Sequence, residues 1–204
     1  GSAATVGHGL SKAPELVMVK IRSGAAAWMV TSVQPVASLD FTDYLVLNES
    51  YAAGDNATIW NDTAPTASVF SVGTNGVSNG STSTYVAYCF HSVEGYSKVG
   101  SYLGNNTAAD GTFIYCGFRP RWIMCKRTGG TGSWNIYDTA RSTYNDMTAR
   151  IGANLYYAEE AASFSIDILS NGFKQYNTDA EMNDAETYLF YAVAETPFKY
   201  ATAR

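Results

Sequence analysis

Two polar-aromatic clusters carry the side chains best suited to meet another molecule. Residues 96–106 hold Tyr96, Tyr102 and Asn105 among Ser, Lys and Gly. Residues 137–146 hold Tyr137, Asp138, Arg141, Tyr144 and Asn145, and Trp134 adjoins them. Aromatic faces stack on the C–H side of a sugar ring, while amides, carboxylates and guanidinium groups pair with its hydroxyls. These nine residues are the candidate ligand-binding set, and carbohydrate is the ligand chemistry they suit. The same composition also suits loops that only join strands.

Signals for catalysis are weaker. The two histidines, His8 and His91, stand far apart, with no His-Glu-x-x-His run. Cys89, Cys116 and Cys125 lack zinc-ligand spacing, and there is no Gly-x-Ser-x-Gly elbow or phosphate loop. Glycoside hydrolysis needs two acids about 5–10 Å apart across a cleft. Asp40, Asp43, Asp110, Asp138, Glu159 and Glu160 are the acids available, but none shares a strand in the alternating arrangement such an enzyme would use. Asp and Asn oxygens could hold calcium, yet no EF-hand spacing occurs. The expectation is a non-enzymatic chain without cofactor or metal.

The elements that must position the clusters come from composition and pattern. The chain has 204 residues, 46% hydrophobic, 14% aromatic and only 15% charged, with 15 Tyr and 18 Gly. That is too apolar for disorder and too poor in charge for a helical bundle. No apolar run approaches the roughly 18 residues of a membrane-spanning helix, so no membrane insertion is expected. A net charge of -5 without a basic block argues against nucleic acid. Three cysteines cannot all pair within one chain, and free thiols in apolar strands are the expectation. The opening Gly1-Ser2 resembles a cloning remnant, which suggests a domain excised from a longer protein.

The chain also resembles itself. Pro14, Lys20, Trp28 and Asn48 recur as Pro120, Lys126, Trp134 and Asn154, all at one offset. The run Thr84-Tyr85-Val86-Ala87-Tyr88 resembles Thr187-Tyr188-Leu189-Phe190-Tyr191. Two repeats are expected, about 5–100 and 112–204, within a single domain spanning 1–204. Residues 16–21, 44–47, 69–72, 85–90, 122–126, 165–169 and 188–193 read as strands. Those at 85–90 and 188–193, apolar on both faces, should be central. Asn75-Gly76, Asn79-Gly80 and Asn171-Gly172 read as turns. Residues 139–160 and 39–42 are ambiguous, the former best taken as a loop with at most a short turn. About six strands per repeat suits an antiparallel β-sandwich. One merged sandwich would account for the short linker better than two separate ones.

Taken together, Gly95-Tyr96-Ser97-Lys98-Val99-Gly100-Ser101-Tyr102, Gly117-Phe118-Arg119-Pro120, Ser170-Asn171-Gly172-Phe173-Lys174 and Ala194-Glu195 with Pro197-Phe198 resemble an uncharacterised domain family. It occurs in tail-fibre and other virion structural proteins of bacteriophages. The resemblance implies a lectin-like, concanavalin A-like or jelly-roll sandwich at an extracellular virion surface. It implies adhesion to bacterial surface polysaccharide, with assembly as a homotrimer through the rest of a fibre. The alternatives it leaves are a purely structural virion module or a polysaccharide-degrading enzyme. It assigns no site residues.

Overall fold

The computed structural model describes residues 1–34 and 39–196; Pro197 and Phe198 lie outside the described residues. The chain is all-β, with every strand pairing antiparallel and two single helical turns. In order, the strands are β1 (Ala4–Gly7), β2 (Leu16–Ile21), β3 (Met29–Ser32), β4 (Asp43–Val46), β5 (Gly54–Asp55), β6 (Val69–Val72), β7 (Tyr85–Phe90) and β8 (Ser97–Leu103). Then come β9 (Phe113–Tyr115), β10 (Pro120–Arg127), β11 (Trp134–Asp138), β12 (Met147–Gly152), β13 (Glu160–Leu169), β14 (Gly172–Gln175) and β15 (Thr187–Ala194). The helical turns are α1 (Ala57–Trp60) and α2 (Gly76–Asn79), each capped by an Asn side chain that accepts from a backbone N–H, Asn56 and Asn75.

Three sheets result. Strands β1 and β6 form a ribbon, and five strands run β5-β4-β3-β2-β7. Eight run β8-β15-β10-β11-β12-β13-β14-β9. Within the larger sheets, β4-β3-β2-β7 and β12-β11-β10-β15 have the same order. Their registers agree as well: Val17 faces Thr31 as Ile123 faces Tyr137, and Met29 faces Val46 as Asn135 faces Gly152. Side-chain locks recur at the same places. The backbone N–H of Trp28 donates to Asn48 Oδ1 at 2.8 Å, and that of Trp134 to Asn154 Oδ1 at 2.8 Å. Tyr85 donates to Gly76 O and accepts from Gly80 N, both 2.6 Å. Tyr188 does the same to Ala180 O and Asp184 N, both 2.9 Å. Gly9 and Gly117, at matching places before the two prolines, both adopt positive φ (70° and 85°), which a Cβ would oppose.

Strand alternation sorts the core into three layers. Met18, Val30 and Leu45 point from the five-stranded sheet toward Met124, Trp134 and Leu189 of the eight-stranded sheet, forming a cluster shared by both halves. The Trp134 indole N–H crosses this layer to Val46 O at 2.9 Å. Val17, Val19 and Met29, on the other face, pack on Ile59, Trp60, Phe70 and Val72. In the eight-stranded sheet, Ile123, Cys125, Tyr137 and Tyr188 pack on Ile114, Ile166, Ile168 and Phe173, which lie on strands far along the same sheet. The sheet is therefore curled on itself, nearly closed, with β8 and β9 as its two ends.

Several expectations need correction. The first polar-aromatic cluster is a strand from Ser97 to Leu103, held by β15 along its whole length, so tertiary pairing overrides its Gly- and Ser-rich composition. The second cluster begins as strand β11, and the stretch read as a loop over 139–160 contains β12. Strand β15 is central, but β7 is an edge strand with Ala87 and Tyr88 exposed. The turn signals at Asn75-Gly76 and Asn79-Gly80 bracket the helical turn α2.

Candidate functional site

Burial divides the nine candidate residues. Trp134, Tyr137 and Tyr102 are core side chains, at 1%, 0% and 5% exposure. Tyr102 stacks on Tyr188 with ring centroids 4.9 Å apart and donates its hydroxyl to Met182 O at 2.8 Å. Burial raises its hydroxyl pKa, and that of Tyr137, well above the ordinary tyrosine value. None of these three rings presents a face to solvent.

The polar members are engaged locally. Asp138 Oδ1 accepts from Ala140 N at 2.7 Å, closing the turn after β11. Arg141 forms an ion pair with Glu159 and donates to Ile136 O at 3.3 Å. Asn145 pairs with both backbone groups of Ile168, each at 3.0 Å, in place of a strand neighbour. Asn105 accepts from Thr107 N at 3.1 Å and donates to Asp110 O at 2.7 Å. Tyr96 and Tyr144 remain exposed. Tyr156 and Tyr157, exposed with rings 4.5 Å apart, were not singled out by the sequence.

Five of the six acids considered for hydrolysis, Asp138 and Glu159 among them, are likewise engaged, and the Glu160 side chain lies outside the described residues. Asp40 Oδ1 accepts from the N–H and hydroxyl of Thr42 (2.8 and 2.6 Å), which lowers its pKa. Asp43 accepts from Asp40 N at 3.1 Å, but burial dominates and raises its pKa. Asp110 holds Lys174 at 3.0 Å. Among the described residues no group of three or more His, Cys, Asp or Glu could hold a metal ion. The three cysteines are free, and burial pushes Cys89 up to about 11 and Cys116 to about 12, so neither carries thiolate at neutral pH.

Two grooves lie elsewhere, along β8. Its ladder bonds to β15 are made by even-numbered residues, as Gly104 N to Glu186 O and Ala194 N to Tyr96 O show (2.9 and 2.8 Å). Odd-numbered residues therefore turn their backbone groups toward the open side. Ser92 Oγ takes up Val99 N at 3.1 Å, and Thr112 Oγ1 takes up Leu103 O at 3.2 Å. Ser101, between them, turns its N–H and C=O into the gap between β8 and β9. A groove of about 440 Å³ fills that gap, lined by Lys98, Ser101, Phe113, Tyr115, Phe190 and Gln34 among others. Gly100 forms its floor beside Phe190; a Cβ there would stand 2.5 Å from the ring.

A second groove, about 650 Å³, continues it and shares Gln34, Lys98 and Val99. Lys12, Glu15, Phe41, Pro65 and Ser92 also line it. On β9 the pattern is exposed, buried, exposed: Phe113 (45%) and Tyr115 (64%) face outward, while Ile114 enters the core. The joined cleft thus combines aromatic faces, an amide, hydroxyls and ammonium groups. Of the candidate residues only Tyr102 lines it. Phe113 and Tyr115 were not among the candidates; their alternation about Ile114 is a signal that could have found them, but their meeting with Lys98 and Gln34 depends on the topology.

No curated protein and no solved structure matches the chain. Residues 1–197 match the family described as "Domain of unknown function (DUF7483)", and the chain belongs to that family.

Proposed function

We propose that the chain is a non-enzymatic receptor-binding domain of a bacteriophage tail fibre, extracellular on the virion, that adheres to bacterial surface polysaccharide. The observation that carries the ligand class is the cleft along β8. There the rings of Phe113 and Tyr115 stand beside Gln34, Ser101 and Lys98. Such a surface can stack on sugar C–H faces and pair with hydroxyls in one place. The virion setting is supported by the resemblance of residues 95–105 and 170–174 to tail-fibre domains. In this reading the molecule is a single lectin-like sandwich of two repeats, with matched strand order and register as its support. Homotrimeric assembly would add avidity to weak individual sites.

The test is binding to a panel of bacterial lipopolysaccharides and capsular polysaccharides. The double variant Phe113→Ala, Tyr115→Ala should weaken binding about tenfold, the upper end for aromatic contacts. Tyr144→Ala should leave it unchanged. A folded protein that binds no member of the panel favours a purely structural module; shortened polysaccharide after incubation would favour an enzyme.

A further inference from the structure

We infer that the cleft along β8 takes an anionic polysaccharide, with the ammonium groups of Lys98 and Lys12 as its charge partners. This rests on the reading of the cleft as a glycan site. Four basic side chains are matched to acids, Lys174 with Asp110, Arg119 with Glu195, Arg127 with Asp184 and Arg141 with Glu159, while Lys20 and Lys126 donate to backbone carbonyls and line neither groove. Lys12 and Lys98 have no such partner among the described residues, yet both line the larger groove. Lys98 is half-buried and stands where the two grooves join.

The only acid lining either groove, among the described residues, is Glu15. Its Oε2 is directed at Ser92, accepting from the backbone N–H at 2.8 Å and from the hydroxyl. The cleft therefore carries an excess of positive charge on a chain whose net charge is -5. That contrast marks this surface as selective for carboxylate- or sulfate-bearing sugars. Charges spaced along a polymer could engage Lys98 and Lys12 along the larger groove, while the rings beyond Lys98 stack on Phe113 and Tyr115 in the smaller one. Matching opposite charges across an interface sets specificity and encounter rate.

The experiment titrates the whole chain with oligomannuronate, with the same oligomer after reduction of its carboxyls to alcohols, with a sulfated galactan and with single-stranded DNA of matched length. Binding to the acidic glycans should exceed binding to the reduced oligomer at least tenfold and should weaken with added salt. Lys98→Gln should cost about tenfold, as for a charge-assisted hydrogen bond, and Lys12→Gln about threefold, as for an exposed pair. Lys98→Arg should restore most of the Lys98→Gln loss. Thermal melts confirm that each variant folds, and if Lys98→Gln does not, Lys12→Gln and the salt dependence decide.

Equal binding of the reduced oligomer overturns the anionic assignment while leaving the glycan reading intact. No binding to any of the sugars overturns both. DNA bound as tightly as the acidic sugars assigns the cleft to polyanions in general and overturns the glycan inference.

Discussion

The two halves of the molecule build the same four-stranded arrangement and then treat it differently. Strands β4-β3-β2-β7 and β12-β11-β10-β15 share order and register, yet β7 is an edge while β15 is covered by β8. Trp28 is half-buried and packs near Tyr88 with ring centroids 6.2 Å apart, whereas its counterpart Trp134 is sealed in the layer between the sheets. Lys20 reaches out to Ala26 O, but Lys126 is fully buried. The turn after Lys126 is clasped by the first half, through Ala53 N to Thr128 O and Gly132 N to Ser50 O (both 2.9 Å). Residues 22–25, the matching turn, are exposed. Strand order and register thus agree in both halves, while burial is decided by what each half packs against.

The largest contrast should come from the tryptophans. Trp134→Ala removes a fully buried ring and leaves Val46 O without its donor, so a loss of about 4 kcal/mol is expected in urea unfolding. Trp28→Ala should cost about 1 kcal/mol. Equal losses would mean that the shared layer is not the centre of the fold.

The lysines come next. Burial lowers Lys126 from its ordinary 10.5 to about 8. A base with a depressed folded-state pKa destabilises the fold where it must be charged. Its penalty is full below pH 8 and vanishes as pH rises through 10.5. Lys126→Met should therefore be more stable than the parent by up to about 3 kcal/mol at pH 7. That advantage should shrink between pH 8 and 10.5. The cysteines contribute an opposite trend above pH 9, since their thiols ionise only on unfolding, but this cancels in the difference between the two proteins. A difference that stays flat with pH would contradict the burial of Lys126.

The tyrosine staples give a smaller effect. Tyr188→Phe leaves Ala180 O and Asp184 N without their shared partner and should cost about 2 kcal/mol, within the range for unsatisfied groups. Tyr85→Phe, nearer solvent, should cost about 1 kcal/mol because water can replace the hydroxyl. Thermal melts of the pair sharpen the comparison: a larger loss at Tyr85 would reverse the assignment of the better-buried half.

The all-β class and the strands at 16–21, 85–90 and 165–169 were legible because short β-branched and aromatic runs stand between turn residues. Strand β8 was not, since Gly100 and its serines weaken the local signal and only pairing with β15 makes it a strand. The ring count pointed toward binding, but the alternation that buries Trp134 and Tyr137 depends on a partner sheet. Lys12 and Lys98 stand 86 positions apart, and nothing in either neighbourhood announces the other. Both line the larger groove because the segment before β2, held to Ser92 by Glu15, lies beside β8.

The central claim is that function resides in the cleft beside β8. Its most direct test is to follow backbone amide shifts of the isotope-labelled protein as acidic oligosaccharide is added. Shifts concentrated at Lys98–Tyr102, Phe113–Tyr115 and Gln34 are the expected result. Shifts confined to residues 139–146 and 156–157, or none at all in a folded protein, would contradict it.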